Sequence, residues 1–427
     1  MTLGVSRFLF VSETTTGKMI VYVCLALTVC VAQISAMALE SSELKVIEAN
    51  GVFTNNLYKE IAKEKGNVFF SPISAHAVLS MAYQGADGVT KDAFASTLKV
   101  PNEKVAAEGY SHIMNRLNNV QNVTLNIANK VYLMEKFALQ DEFSKSVKDN
   151  FQSEVQQLNF AENTKSAGVI NGWVEDKTNK KIKDLIKPDS LSSDTRLVLV
   201  NAIYFKGDWL NKFDAKNTKK QPFFLNEVDK VDVDMMFRKG DYRYKFDRDL
   251  DAQVLELPYA NKALSMIVVL PNKKDGIREL EGKLVNTPLD KVIEGMYSTD
   301  VEVYLPKFKI ETTIDLKEIL TNMGLGNIFS NSANFSKMIT GGEPLSVSEV
   351  IQKAFIEVNE EGSEAAAATG SMVRVRRALP ITKTFIADHP FMLSVLSRPP
   401  DNATVAHLLF HGKFTDIPHN ILGHDEL

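Results

Sequence analysis

Leu197-Val198-Leu199-Val200-Asn201-Ala202-Ile203-Tyr204-Phe205 is almost continuously apolar. A strand with one wet face alternates apolar and polar residues, whereas a strand buried on both faces does not. The run therefore predicts a strand inside a sheet that helices cover. Asn201, in its middle, would be a buried amide in need of partners, since a buried polar group left alone costs about 1–3 kcal/mol. A core hydrogen bond is the plain expectation for it, and a moving part the alternative. Before this run, helical spacing marks Ser41 to Lys65, Ser71-Pro72 opens a helix that ends near Gly85, and Asn171 to Ile186 reads as a third helix. Leu125, Ile127, Asn129, Val131 and Leu133 alternate as a strand does. After it, strands are expected at Ser265 to Leu270, Val301 to Ile310 and Ile351 to Val358. A hairpin then joins Phe391–Ser397 to Thr404–Phe410 through Arg398-Pro399-Pro400-Asp401-Asn402. Helices gather early and strands late, the mixed layout of the α+β class.

The chain has 427 residues, 44% of them hydrophobic and 24% charged, the balance of a globular protein with a sizeable core. No repeat or linker interrupts residues 39–427, which are read as one domain. A net charge of −4 with no long basic run excludes nucleic acid as an expected partner. Lys18, the apolar run Met19 to Ala32 and then Ala36-Met37-Ala38 form the pattern of a signal peptide over residues 1–38, with Met19 as an alternative start. The run is shorter than the roughly 20 residues a bilayer demands, so no membrane span is expected. Cleavage after Ala38 removes Cys24 and Cys30, the only cysteines, leaving packing alone to hold the domain.

At the other end, His424-Asp425-Glu426-Leu427 is an address read by a retrieval receptor of the endoplasmic reticulum. The expected location is that lumen and the secretory pathway, with a fraction secreted. Asn122-Val123-Thr124, Asn334-Phe335-Ser336 and Asn402-Ala403-Thr404 are glycosylation sequons. No cofactor or metal is expected: His407 and His411, four apart in a strand, would stand about 13 Å from one another. No cysteine remains as nucleophile and no catalytic motif is found, so the reading is of a chain that is not an enzyme.

Residues 360–380 lack a trusted helix or strand pattern, and loops longer than about 12–15 residues are usually functional. The segment runs Glu360-Glu361-Gly362-Ser363-Glu364-Ala365-Ala366-Ala367-Ala368-Thr369-Gly370-Ser371-Met372-Val373-Arg374-Val375-Arg376-Arg377-Ala378. Odd positions from 363 to 375 are small or apolar and uncharged, while Glu364, Arg374 and Arg376 fall on even ones. That period of two suits a strand with one buried face, and an exposed loop has no use for it. Ala365 to Ala368 could instead start a short helix, which leaves the parity of Val373 and Val375 unexplained.

Asn67-Val68-Phe69-Phe70-Ser71-Pro72-Ile73-Ser74, Leu199 to Trp209, Glu256-Leu257-Pro258-Tyr259, Tyr304-Leu305-Pro306-Lys307-Phe308, Glu360 to Ala368 and His389-Pro390-Phe391 together resemble serpins, in the right order along the chain. The resemblance implies three β-sheets, about nine helices and an exposed reactive loop, here about 360–384. It places Ser71, Ser74, Asn201 and Gln352 in a shutter beneath the central sheet; family members often have a histidine where Gln352 stands. It places Trp209, Lys307 and Glu360 in a breach at the top, with a Lys307–Glu360 salt bridge. Gly362, Ser363, Glu364, Ala365, Ala366, Ala367 and Ala368 match the hinge of inhibitory members.

The activity implied is suicide inhibition of serine proteases, with cleavage of the loop followed by its insertion into the sheet. Arg374-Val375-Arg376-Arg377 resembles the recognition site of furin-like proprotein convertases, whose carboxylates would bind guanidinium groups in charge-assisted pairs. The expected bond is Arg377–Ala378. Counting along the hinge gives Arg376–Arg377 instead, which suits a trypsin-like protease. Two alternatives remain: a non-inhibitory lumenal chaperone, which the alanine run disfavours, and a substrate matured at the arginine cluster. A monomer is expected, and the stretch Pro101 to Val120 is not basic, so no heparin activation follows.

Overall fold

The computed structural model describes residues 42–63, 65–120, 123–362, 382–398 and 406–417. The expected signal peptide, the hinge from Ser363 to Ala368, Arg374 to Ala378, Asn122, Asn402 and the terminal tetrapeptide all lie outside the described residues.

Leu197–Gly207 is a strand, and ten of its eleven residues are buried. It is the middle of a five-stranded sheet ordered Phe308–Asp315, Val347–Val358, Leu197–Gly207, Val123–Met134, Val155–Leu158. Its alternate residues enter two separate cores. Leu197, Leu199, Ile203 and Phe205 join the large core with helix Pro72–Gln84. Val198, Val200, Ala202 and Tyr204 pack with Ile170, Val174, Ile182 and Ile186 from helix Asn163–Lys177 and the segment after it. Two-sided burial is why the sequence shows no alternation.

A nine-stranded sheet runs from Val68–Phe70 to Lys383–Ile386, and Ile339–Thr340 pairs with Ala138–Leu139 to give a third. With helix 42–61, nine α-helices lie among the described residues. Helix Pro72–Gln84 starts as the sequence dictates: Ser71 caps it by accepting from Ser74 N–H, and Pro72 fills the first position.

Two expectations need correction. The strand expected over Val301 to Ile310 is two strands in different sheets, Tyr297–Pro306 and Phe308–Asp315. Lys307 is the junction, its N–H donating to Asp234 O at 2.8 Å. The helix expected over Asn171 to Ile186 is Asn163–Lys177 instead. Asn179 and Lys180 at φ 51° and 60° end it, and the following strap is held by Asn171, whose carboxamide bonds both Ile186 O and Ile186 N at 2.9 Å.

Candidate functional site

Val347–Val358 runs parallel to Leu197–Gly207, with register from Val347↔Leu197 to Phe355↔Tyr204 and a shift after Val347. Pairing stops there, so Ile356–Val358 and Phe205–Gly207 are not laddered to each other. On their outer sides both strands have antiparallel neighbours. A segment reversing after Val358 would run antiparallel to both strands, and entering between them it would replace one parallel ladder by two antiparallel ones, the more stable kind.

The chain does reverse there. Asn359 N–H donates to Gly362 O at 2.9 Å and Gly362 N–H to Asn359 O at 3.2 Å, closing a turn over the unpaired end of the seam. Gly362 has φ +135°, and a Cβ on it would lie 2.2 Å from Gly207 O and 2.6 Å from Asp208 Cα. Only glycine fits that backbone approach. The next described stretch begins at 382, and Lys383–Ile386 pairs with Tyr297–Pro306 in the nine-stranded sheet.

Trp209 anchors the turn. Its ring stacks on Tyr259 at 4.6 Å and its Nε1–H donates to Asn359 O at 3.0 Å. The backbone N–H groups of Trp209 and Phe213 donate to Glu361 O and Glu360 O, both at 2.9 Å. Lys307 Nζ lies 3.0 Å from Glu360 Oε2, and Thr218 donates to Glu360 Oε1 at 2.8 Å. Burial would raise the Glu360 carboxyl, but the bonds from Lys307, its own backbone and Thr218 outweigh burial and hold it below the ordinary range. Lys212 Nζ reaches Glu361 at 2.5 Å and Asp208 at 3.4 Å. Lys212, Thr218, Asn359 and Glu361 were missed in the sequence, where charged residues in a turn look like any solvated surface.

Midway down the same seam lies a row of three amides. Cross-strand register sets Asn129 opposite Asn201 and Asn201 opposite Gln352. Asn201 Nδ2 donates to Ser74 Oγ and Asn129 Oδ1, and Gln352 Nε2 donates to Asn201 Oδ1. Gln352 also donates to Ser71 O at 2.9 Å and accepts from Ser71 N–H at 3.0 Å. Ser71 Oγ donates to Leu409 O at 2.7 Å. Ser71, Ser74, Asn201 and Gln352 are at most 1% exposed. Among the described residues no titratable side chain bonds to this cluster. His76, on the same helix, donates from Nε2 to Leu98 O at 2.9 Å and accepts from Tyr110 at 2.7 Å, and burial lowers it to about 4. Asn129 was the missed member; a polar residue on the inward parity of Leu125 to Leu133 was its signal.

The site is thus a parallel seam capped by a glycine turn and pinned by a row of buried amides. Residues 48–417 match the family model "Serpin (serine protease inhibitor)". The chain is 40% identical over 366 residues to Antichymotrypsin-2 of Bombyx mori, covering 85% of this chain and 96% of that one. It is 40% identical over 378 residues to Antitrypsin of Bombyx mori, covering 86% and 94%. The solved structure of Serpin48 from the insect Tenebrio molitor superposes with a TM-score of 0.79 at 33% identity, over 88% of this chain and 99% of that one. The chain belongs to the serpin family, and its function is protease inhibition. The reading of a chain that is not an enzyme is thereby corrected, since its relatives are named as serine protease inhibitors. Inhibitors of this kind act covalently as suicide substrates, so the chain takes part in a protease's catalytic cycle.

Proposed function

We propose that the chain traps arginine-specific serine proteases, furin-like proprotein convertases foremost, in the lumen of the secretory pathway. The observation that carries this reading is Arg374-Val375-Arg376-Arg377, placed in the connection that leaves the Asn359–Gly362 turn. The protease's serine Oγ attacks the Arg377 carbonyl and the Arg377–Ala378 C–N bond breaks. Ala378 leaves as a new amine carrying the proton, and Arg377 stays esterified to the protease. The freed segment then enters the seam. Some dozen residues gaining ladder bonds at roughly 0.5–1.5 kcal/mol each amount to about ten kcal/mol or more, comparable with the stability of a whole domain and enough to distort an active site. The native state is then kinetically held above a more stable one.

Trp209, Lys307 and Glu360 act as the breach in this scheme, Ser71, Ser74, Asn201 and Gln352 as the shutter, and Gly362 to Ala368 as the hinge. The amino-terminal apolar run and His424 to Leu427 support entry into, and retrieval to, the endoplasmic reticulum. There a monomer with glycans at Asn122, Asn334 or Asn402 would meet convertases and the retrieval receptor.

Mixing the chain with a furin-like protease should give a detergent-stable complex, and mass spectrometry of the released peptide should begin at Ala378. Complete loop cleavage without complex would overturn the proposal. A second reading, cleavage at Arg376–Arg377 by a trypsin-like protease, is favoured by the relative named Antitrypsin. A released peptide beginning at Arg377 would select it.

A further inference from the structure

The strand Val123–Met134 is only partly covered on its outer side. Val155–Leu158 pairs with it from Val131 to Met134 and no further. Two bonds fix the direction of the backbone along the open part: Val131 N–H donates across this edge to Glu154 O at 3.5 Å, and Asn129 O accepts from Ser153 Oγ. Odd-numbered residues therefore turn their peptide groups to the edge. The outward N–H and C=O of Leu125 and Ile127 meet no strand among the described residues. They open on a cleft of about 710 Å³ floored by residues 125–129.

The cleft's walls have a definite chemistry. Trp173 and Lys177 stand on the side of helix Asn163–Lys177, and Lys148 and Gln152 on the side of helix Asp141–Phe151. Its carboxylate, Glu154, is already paired with the buried Lys130. Lys148 and Lys177 are exposed and make no ion pair among the described residues. An unused ladder thus lies between two cations that lack counter-charges and beside Trp173, whose ring is already covered on one face by Lys130 Nζ at 4.9 Å.

We propose that this edge docks an extended acidic segment of a partner protein by strand addition. The backbone of Leu125 and Ile127 supplies the ladder, and Lys148 and Lys177 select carboxylates. The strand that would receive the segment also carries Asn129 of the amide row. A docked partner would therefore resist movement of the sheet, a consequence that rests on the insertion reading above; the docking does not.

The test uses the full chain and a fluorescein-labelled peptide of alternating glutamate and valine, followed by anisotropy at low salt. Saturable binding is expected, weakened about tenfold or more in Lys148→Glu/Lys177→Glu, since steering and pairing by charge are lost. Methylating alternate peptide nitrogens of the probe should abolish binding, and a lysine–valine probe should not bind. Circular dichroism of the double variant separates lost binding from lost fold. Absence of saturable binding, equal binding by the folded double variant, or equal binding of the methylated probe would overturn the proposal. The lysines would then only shield an open edge from aggregation. Protease trapping, measured separately with and without the peptide, reports on the insertion reading without affecting the binding result.

Discussion

Leu197–Gly207 is held differently by its two neighbours. Toward Val123–Met134 it is antiparallel, in unbroken register from Val123↔Gly207 to Leu133↔Leu197. Toward Val347–Val358 it is parallel, shifted at one end and unpaired beyond Phe355↔Tyr204 at the other. Parallel ladders are slightly weaker per residue, and this one is also shorter. The weaker seam is the one whose open end meets the Asn359–Gly362 turn. Both seams meet at the amide row, where Asn201 bonds Asn129 on one side and Gln352 on the other. One edge of the strand therefore carries the longer, unbroken ladder and the other the shorter, weaker one, with a single side chain bonded across both.

The largest effect that would break this comparison comes from the segment that should enter the weaker seam. Thr369→Pro removes an N–H that an inserted strand needs, and proline is tolerated only at sheet edges. Cleavage by a convertase or trypsin should continue while detergent-stable complex falls below detection on a gel. The nicked wild-type chain should melt well above the intact one, and the nicked variant should not. Undiminished trapping by the variant would mean that the seam does not open.

Asn201→Ala should have the next largest effect. It removes one partner from each of Ser74 Oγ, Asn129 Oδ1 and Gln352 Nε2, while Ser74 Oγ still donates to Asn129 Oδ1 at 3.1 Å and Gln352 Nε2 to Ser71 O at 2.9 Å. At about 0.5–1.5 kcal/mol for each of the three hydrogen bonds lost, a loss of about 3 kcal/mol in urea unfolding is expected. A loss within the few tenths typical of surface substitutions would show that the amides are not what joins the two seams.

What the sequence disclosed follows from the same physics. Asn201 stood out because a fully apolar strand makes one polar residue conspicuous, and Ser71-Pro72 because capping chemistry is local. The break at Lys307 was passed over, although Pro306 directly before it cannot donate a ladder bond and was a local signal for it. Helix Asn163–Lys177 was misplaced because Ile182 and Ile186 repeat at helical spacing from Ile170 and Val174 although they belong to a strap packed on the same core. The turn was half legible: Gly362 is demanded by backbone contact with Gly207 and Asp208, which only the folded chain brings close.

Gly362→Ala sharpens the upper end of the comparison. The backbone at Gly207 and Asp208 cannot yield to a Cβ, and φ +135° is strained for alanine. The turn should open at a cost of about 1–3 kcal/mol, releasing the bonds from Trp209 and Phe213 to Glu361 and Glu360. The indole fluorescence of Trp209 should become more accessible to acrylamide, and unchanged quenching would argue that the turn does not cap the seam.

The smallest effect is the most specific. Gln352→His puts a titratable ring into a seam whose cluster has none. Gln352 makes three bonds, to Ser71 O, Ser71 N–H and Asn201 Oδ1, whereas a neutral imidazole has one donor and one acceptor, so about 1 kcal/mol should be lost at neutral pH. Protonation would turn the acceptor into a donor facing the Ser71 N–H, inside a fully buried cluster. The folded-state pKa of the new ring must therefore lie below its unfolded value of about 6.5. A group depressed in this way contributes stability above the unfolded pKa and withdraws it as pH falls below that value. The wild type should have such a slope too, since burial lowers His76 and His411 to about 4, and burial with Arg116 lowers His407 to about 3. Urea midpoints measured from pH 7.5 to pH 5 should fall for both proteins and more steeply for the variant. Parallel curves would mean that position 352 is wetter than its hydrogen bonds imply, and that the weaker seam is already partly open in the native state.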